Sequence, residues 1–200
     1  LFDPKYKGKV DFLSELRETV PLVMTCIGID PEKATEADWM KAIEKVKGAV
    51  KSGQIRRFTG NDYARDLTSG DAVAVIGWSG DAVQLQADNK NIEWRMPTQG
   101  CSLWSDNMVI PVGAPNPTAA EAWMNYVYEP KNQARITAYV NYVSPVEGVK
   151  PILLKSEPEI GNNRLIFPSA AFTKNCFSQP KLSGEVEKNV TRSWNAVLTG

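Results

Sequence analysis

The chain contains no histidine among its 200 residues. That absence excludes Ser-His-Asp and Cys-His activation, imidazole metal ligation and imidazole acid-base chemistry in one step. A field of one charge sign is missing too: Lys plus Arg and Asp plus Glu each number 23, so the formal net charge is zero. Nucleic acid and anionic membrane surfaces therefore find no basic footprint. Only three cysteines occur, Cys26, Cys101 and Cys176, at no metal-binding spacing, and their odd number argues against a full disulfide framework. Isolated buried thiols are the plain expectation, with one bridge left open. No apolar run reaches the roughly 18 residues of a membrane span, and no charged-then-apolar leader opens the chain. Phosphate-binding GxxxxGK[ST] and GxGxxG patterns, internal repeats and low-complexity tracts are absent. Nothing in the sequence calls for a metal or a cofactor.

What remains is an ordinary globular composition, 42% hydrophobic and 23% charged, enough for one large or two small lobes. The opening LFDPKYKGKV reads as the interior of a longer protein. Strand and helix signals then alternate, which predicts an α/β fold. Lys9 to Leu13 reads as a short strand and Glu15 to Cys26 as a helix. In ATEADWMKAIEKVKGAVKSG, Thr35 is a plausible cap, Trp39, Ile43, Val46 and Val50 recur at helical spacing, and Gly53 closes the helix. Ile55 to Phe58 predicts a strand, NDYARDLTSG a short helix capped by Asn61 and ended by Gly70, and AVAVIGW (72–78) a fully buried strand. NIEWRMP and LWSDNMVIPVG predict further strands. NPTAAEAWMNYVYEPKNQARITAYV predicts two helices broken near Pro130, and SGEVEKNVTRSWNAVLTG a last helix capped by Ser183.

Three short stretches carry candidate chemistry. Glu15 and Glu18 in SELRE stand in the first turn of a helix, where acids favour the dipole, a sufficient reason for them by itself. Their spacing also puts both carboxylates on one side, at the carboxyl edge of a sheet, where α/β proteins keep ligands. Trp78 and Asp81 in VIGWSGDA could be a core indole and a helix cap. The motif recurs, however, as Trp104 and Asp106 in LWSDN. Two aromatic-plus-carboxylate corners suggest a cationic ligand. The alternative is glycoside hydrolysis by paired acids, with the aromatic rings stacking on sugar, or a sugar-binding receptor, although no stretch carries a glycosidase motif.

GNDYARDLTSGDAVAVIGWSGDAVQLQ, LWSDNMVIPVGAPNPTAAEAWMNYVYEP and AYVNYVSPVEGVKPIL, in that order, resemble the polyamine-binding (spermidine/putrescine) receptors of bacterial ABC importers. LFDPKYKGKVDFLSELRETV is similar to the segment that begins that family's second lobe. The resemblance implies a type II periplasmic-binding-protein fold whose two α/β lobes close on a polyamine, with residues 1–105 and 150–200 forming a nearly complete second lobe. Residues 106–149 would be a crossover segment of the first lobe, most of which is absent. It implies a non-enzymatic receptor, periplasmic or extracellular and membrane-anchored, delivering its ligand to a membrane permease and completed by a missing N-terminal part.

By the same resemblance, Glu18 is the acid after the first second-lobe strand, with Glu15 at a neighbouring, variable position. Trp78 covers the ligand chain while Asp81 takes an ammonium. Trp104 and Asp106 match the aromatic-x-Asp of the crossover, Tyr142 an aromatic at the return, and Gln179 a late polar contact. Ammonium groups need acceptors that replace hydration, and methylenes need apolar walls; carboxylates and indoles supply the two.

Overall fold

Val10–Leu13 forms β1, the middle strand of a three-stranded sheet in the computed structural model, which describes residues 1–200. All four residues of β1 are buried, as a strand with a neighbour on each edge and helices on its faces requires. Helices α1 (Leu16–Cys26) and α2 (Glu36–Lys51) lead to β2 (Ile55–Thr59), and α3 (Tyr63–Ser69) leads to β3 (Ala74–Val75). Both outer strands run parallel to β1, with Phe12 opposite Phe58 and Val10 opposite Ala74. The α/β expectation holds. Further along the chain lie α4 (Ser79–Asp88), β4 (Ser102–Leu103), α5 (Pro117–Tyr128), α6 (Pro130–Val140), α7 (Val149–Ser156), α8 (Pro158–Gly161), β5 (Phe177–Ser178) and α9 (Gly184–Thr199).

The chain divides into two units, one of residues 1–78, 85–104 and 173–200, the other of residues 79–84 and 105–172. In the first, α2 opens on a capping box, the Thr35 N–H donating to Asp38 Oδ2 at 2.9 Å and the Asp38 N–H to Thr35 Oγ1 at 3.4 Å. The helix buries Trp39, Ala42, Ile43, Val46 and Ala49, and α9 buries Val190, Trp194 and Val197, so both pack into the core around Val10, Phe12 and Leu13. Each large side chain buried there contributes about 1.5–3 kcal/mol. One charged residue interrupts the apolar strand. Asp11 is fully buried and accepts from Arg56 at 3.3 Å, while Arg56 and Arg57 both reach the buried Asp66 of α3, at 2.9 and 2.7 Å.

In the second unit the core is smaller: Ala134 on α6 against Val149 and Leu153 on α7, with Ala138, Val146, Ile152, Ile160 and Phe167 around them. Helix α5 has no buried residue, and Trp123 and Tyr126 stack on its surface at 61% and 47% exposure.

Several sequence expectations need correction. AVAVIGW is a strand only at Ala74–Val75, on the sheet's edge, so Val73 is 54% exposed. NIEWRMP forms no strand and LWSDNMVIPVG contributes only Leu103, because the ladder between β4 and β5 is two residue pairs long and no other strand continues it. The cap of α3 is Asp62 rather than Asn61, and α4 starts at Ser79, which puts Asp81 inside its first turn rather than at the cap, Trp78. Cys101 and Cys176 are joined in a disulfide and Cys26 is an exposed free thiol, so the three are not isolated buried thiols. By contacts alone the second unit runs to Phe172, with α7 packed on α6, and residues 173–200 belong to the first unit.

Candidate ligand-binding site

Glu18 owes its place to the turn between β1 and α1. Ser14 donates its backbone N–H to the Thr59 carbonyl at 2.9 Å, the Thr19 hydroxyl donates back to the Leu13 carbonyl at 2.6 Å, and the Trp194 indole donates to the Ser14 carbonyl at 2.7 Å. The start of α1 is thereby tied to β1, β2 and α9. Arg17 adds a further tether, pairing with Glu187 at 2.6 Å and donating to the Pro180 carbonyl at 3.2 Å. Glu18 emerges from this rigid corner into a half-buried position.

Three side chains dress its carboxylate. Gln179 Nε2 donates to Glu18 Oε1 at 2.7 Å, and the indoles of Trp104 and Trp78 stand close enough to act on the same group. Gln179 is fixed from both sides, since the Ser178 N–H donates to Glu32 at 2.9 Å and the Pro180 carbonyl is held by Arg17. Burial pushes the Glu18 carboxyl above its ordinary range; Trp104, Gln179 and Trp78 pull it back, and Glu15 adds a smaller upward push. The Trp78 indole N–H is itself buried without a hydrogen-bond partner, so its influence on Glu18 is one of proximity.

Trp78 is held from behind by a residue that the sequence did not flag. Its backbone N–H donates to the Tyr63 hydroxyl at 3.1 Å, and the two rings sit 5.9 Å apart. A side chain on Gly77 would meet the Tyr63 ring at 2.9 Å, so glycine there is what lets the phenol approach. Gly80 plays the same part in the second unit. A Cβ on Gly80 would fall inside the Tyr142 ring, and that ring's hydroxyl donates to Asp81 Oδ1 at 2.7 Å. Burial first and the Asp81 carboxylate second push the Tyr142 phenol upward. The two glycines of GWSGD were the readable trace of both aromatic contacts.

The structure thus brings Glu18, Trp78, Trp104 and Gln179 together in the first unit, and Asp81 and Tyr142 together in the second. Neither Glu15 nor Asp106 makes a contact in either group, and Glu15 acts on Glu18 only through its charge. Glu15 is exposed at the helix cap, where it accepts from the Ser14 hydroxyl at 3.1 Å, and Asp106 is exposed on an irregular stretch with no hydrogen bond or ion pair. Chemically, the Glu18 group is an acceptor partly withdrawn from water, with an amide donor and two indoles beside it. A carboxylate in such a setting can take N–H donors of a cation and replace its lost hydration.

Residues 1–163 match the model of the bacterial extracellular solute-binding proteins, and the chain belongs to that family. It is a family of solute-binding proteins, not of enzymes. The chain is 28% identical over 197 residues to a putrescine/agmatine-binding protein of Pseudomonas aeruginosa, covering 94% of this chain and 52% of that one. It is 26% identical, over 96% of its length and 52% of the relative's, to the putrescine-binding periplasmic protein PotF of Escherichia coli. A structure from Listeria monocytogenes, a candidate spermidine/putrescine ABC transporter, shares the fold with a TM-score of 0.87 at 23% identity, covering 98% of this chain and 59% of that one. The chain spans about half the length of the relatives it matches.

Proposed function

We propose that this chain is part of a receptor that captures a polyamine, putrescine or spermidine, and delivers it to an ABC importer. The observation that carries this is the Glu18 group: one half-buried carboxylate with an amide donor and two indoles around it, on a turn hydrogen-bonded to β1, β2 and α9. The names of relatives that bind putrescine support the same ligand class. Asp81 with Tyr142 is proposed as a further acceptor pair of the whole receptor. The first unit would then be the second lobe of the type II fold and the second unit a portion of the first lobe. Its remainder would cover the exposed Trp123 and Tyr126 of α5, since apolar surface of this kind marks an interaction face. The working location is outside the cytoplasmic membrane, periplasmic or anchored at the cell surface, next to the permease.

Calorimetry of the full-length protein against diamines, triamines, amino acids and sugars tests the proposal. Binding confined to compounds with two or more ammonium groups is the expected result. Preference for a sugar, or release of product from a glycoside, would replace it with the carboxylate chemistry of a carbohydrate protein.

A further inference from the structure

We infer that the Cys101–Cys176 disulfide is a positioning element of the Glu18 site, holding in place the two chain segments that present Trp104 and Gln179 to the carboxylate. Cys101 immediately precedes β4 and Cys176 immediately precedes β5. The strands are parallel, with Ser102 opposite Phe177 and Leu103 opposite Ser178, and the Phe177 N–H donates to the Cys101 carbonyl at 2.8 Å. Trp104 is the next residue after β4, and Gln179 the next after β5. One covalent link therefore sets the start of both strands, and both strands end on a residue that dresses Glu18.

Few other bonds set this register. The ladder is two residue pairs long, far short of a self-supporting sheet, and the cysteines are 75 residues apart in sequence. Glu32 and Arg17 hold the β5 segment on either side of Gln179, whereas the β4 segment that ends on Trp104 has no such tether, so the bridge matters most there; a long loop closed by so few bonds opens readily without a covalent link. Phe177 is buried, but the main core of the first unit takes no side chain from residues 85–104 or 173–181. What does surround the bridge is close backbone contact. Gly100, at φ +130°, lies against the Asn175 carbonyl so tightly that no side chain fits, and Asn175 Nδ2 donates to the Thr98 carbonyl at 3.2 Å. Conversely, the core formed by β1, α1, α2 and α9 makes no use of the bridge. The disulfide thus acts on the site and not on the fold of the unit that carries it.

The inference rests on the polyamine reading for its ligand but not for its geometry, and the test separates them. In the full-length protein with Cys26→Ser, to remove the free thiol, three states are compared: oxidised, reduced under native conditions, and Cys101→Ser/Cys176→Ser. The readouts are putrescine affinity by calorimetry, the Trp104 indole N–H signal, the midpoint of the Glu18 carboxyl titration, and far-UV circular dichroism. The expected result is an unchanged circular dichroism spectrum, a Trp104 signal moved toward that of a solvated indole, and a Glu18 midpoint raised by loss of its donors. Putrescine affinity falls at least ~10-fold through lost preorganisation. If Trp104 and Glu18 report the same environment in all three states, the inference is wrong. It is equally wrong if both reduction and the double substitution unfold the first unit, since the bridge is then a global staple. Failure of the oxidised protein to bind putrescine overturns the polyamine reading alone, and the Trp104 and Glu18 signals still judge the disulfide.

Discussion

Replacing Glu18 by glutamine removes one charge from the site and almost no volume. In the parent, burial raises the carboxyl while Trp104, Gln179 and Trp78 counteract it, so the ionised form is held by donors that an incoming ammonium can join. An amide in its place offers one oxygen without charge and turns its own N–H groups toward Gln179 Nε2, which stands 2.7 Å from the carboxylate. A hydrogen bond to a charged group contributes about 1.5–3 kcal/mol, so Glu18→Gln should weaken diamine binding by roughly 10- to 150-fold at ~1.4 kcal/mol per decade.

The pH dependence follows with a definite sign. The cation binds the ionised carboxylate, and the raised pKa of the free site keeps the carboxyl protonated to higher pH than an ordinary glutamate. Parent affinity therefore rises with pH until the carboxyl is ionised and then levels off, with a proton released on binding where the carboxyl is partly protonated. In the variant this slope disappears. Folding stability moves the other way. A carboxyl whose folded pKa lies above its unfolded value loses stability as pH rises between the two, so glutamine should leave neutral-pH stability unchanged or slightly higher. Calorimetry in buffers of different ionisation enthalpy measures affinity and proton release together. Unchanged affinity, or a pH slope that survives the substitution, would refute Glu18 as the ammonium acceptor. Glu15→Gln is the comparison: it should keep the affinity and the pH slope and only move that slope slightly toward lower pH, since the Glu15 charge gives Glu18 a small upward push.

Gly80→Ala should drive the Tyr142 ring off its seat, and the phenol should then titrate closer to its ordinary range in an ultraviolet titration, because contact with Asp81 helps hold it high; an unmoved phenol would contradict the packing. Asp11 is pushed up to about 6 from 3.8 by burial, with the Asp66 carboxyl also raising it and Arg56 pulling it down. The folded state then loses stability as pH rises from about 3.8 to 6, by about 3 kcal/mol at most, and Asp11→Asn should shift melting in the variant's favour between pH 4 and 7. Asp66 acts in the opposite sense: burial raises it, but Arg57, Asp11 and Arg56 hold it below its usual value, so its contribution is lost as pH falls. Trp123→Ser should reduce concentration-dependent association of the 200-residue chain in light scattering, since Trp123 and Tyr126 are its largest stacked and exposed aromatic pair.

Regular periodicity was the legible part of this sequence. Thr35, Trp39, Ile43 and Val46 define α2 by spacing alone, and the run of buried residues in β1 could belong only to a covered strand. Segments 91–97 and 103–113 misled because their aromatic and aliphatic residues mimic strands; a strand also needs a neighbour to pair with, and a local pattern carries no information about that neighbour. The disulfide was hidden for the same reason, since Cys101 and Cys176 meet through a ladder between segments 75 residues apart.

The candidate site shows a finer division. Glu18, Trp78, Asp81 and Trp104 stood out as acids and rings near strand ends, although each also has an ordinary structural use there, and Tyr142 was named by the family resemblance alone. Their supports, Tyr63, Arg17 and Glu32, were not found, because a buried phenol and two surface charges look the same in sequence whether they position a neighbour or merely solvate a helix. The glycines stand between these cases. Gly77 and Gly80 say that some ring approaches the backbone closely, and only the fold says that the rings are Tyr63 and Tyr142. Polar specificity in this chain is thus written twice, once in residues that could meet a cation and once in the space left for the residues that hold them, and only the first is readable without a structure.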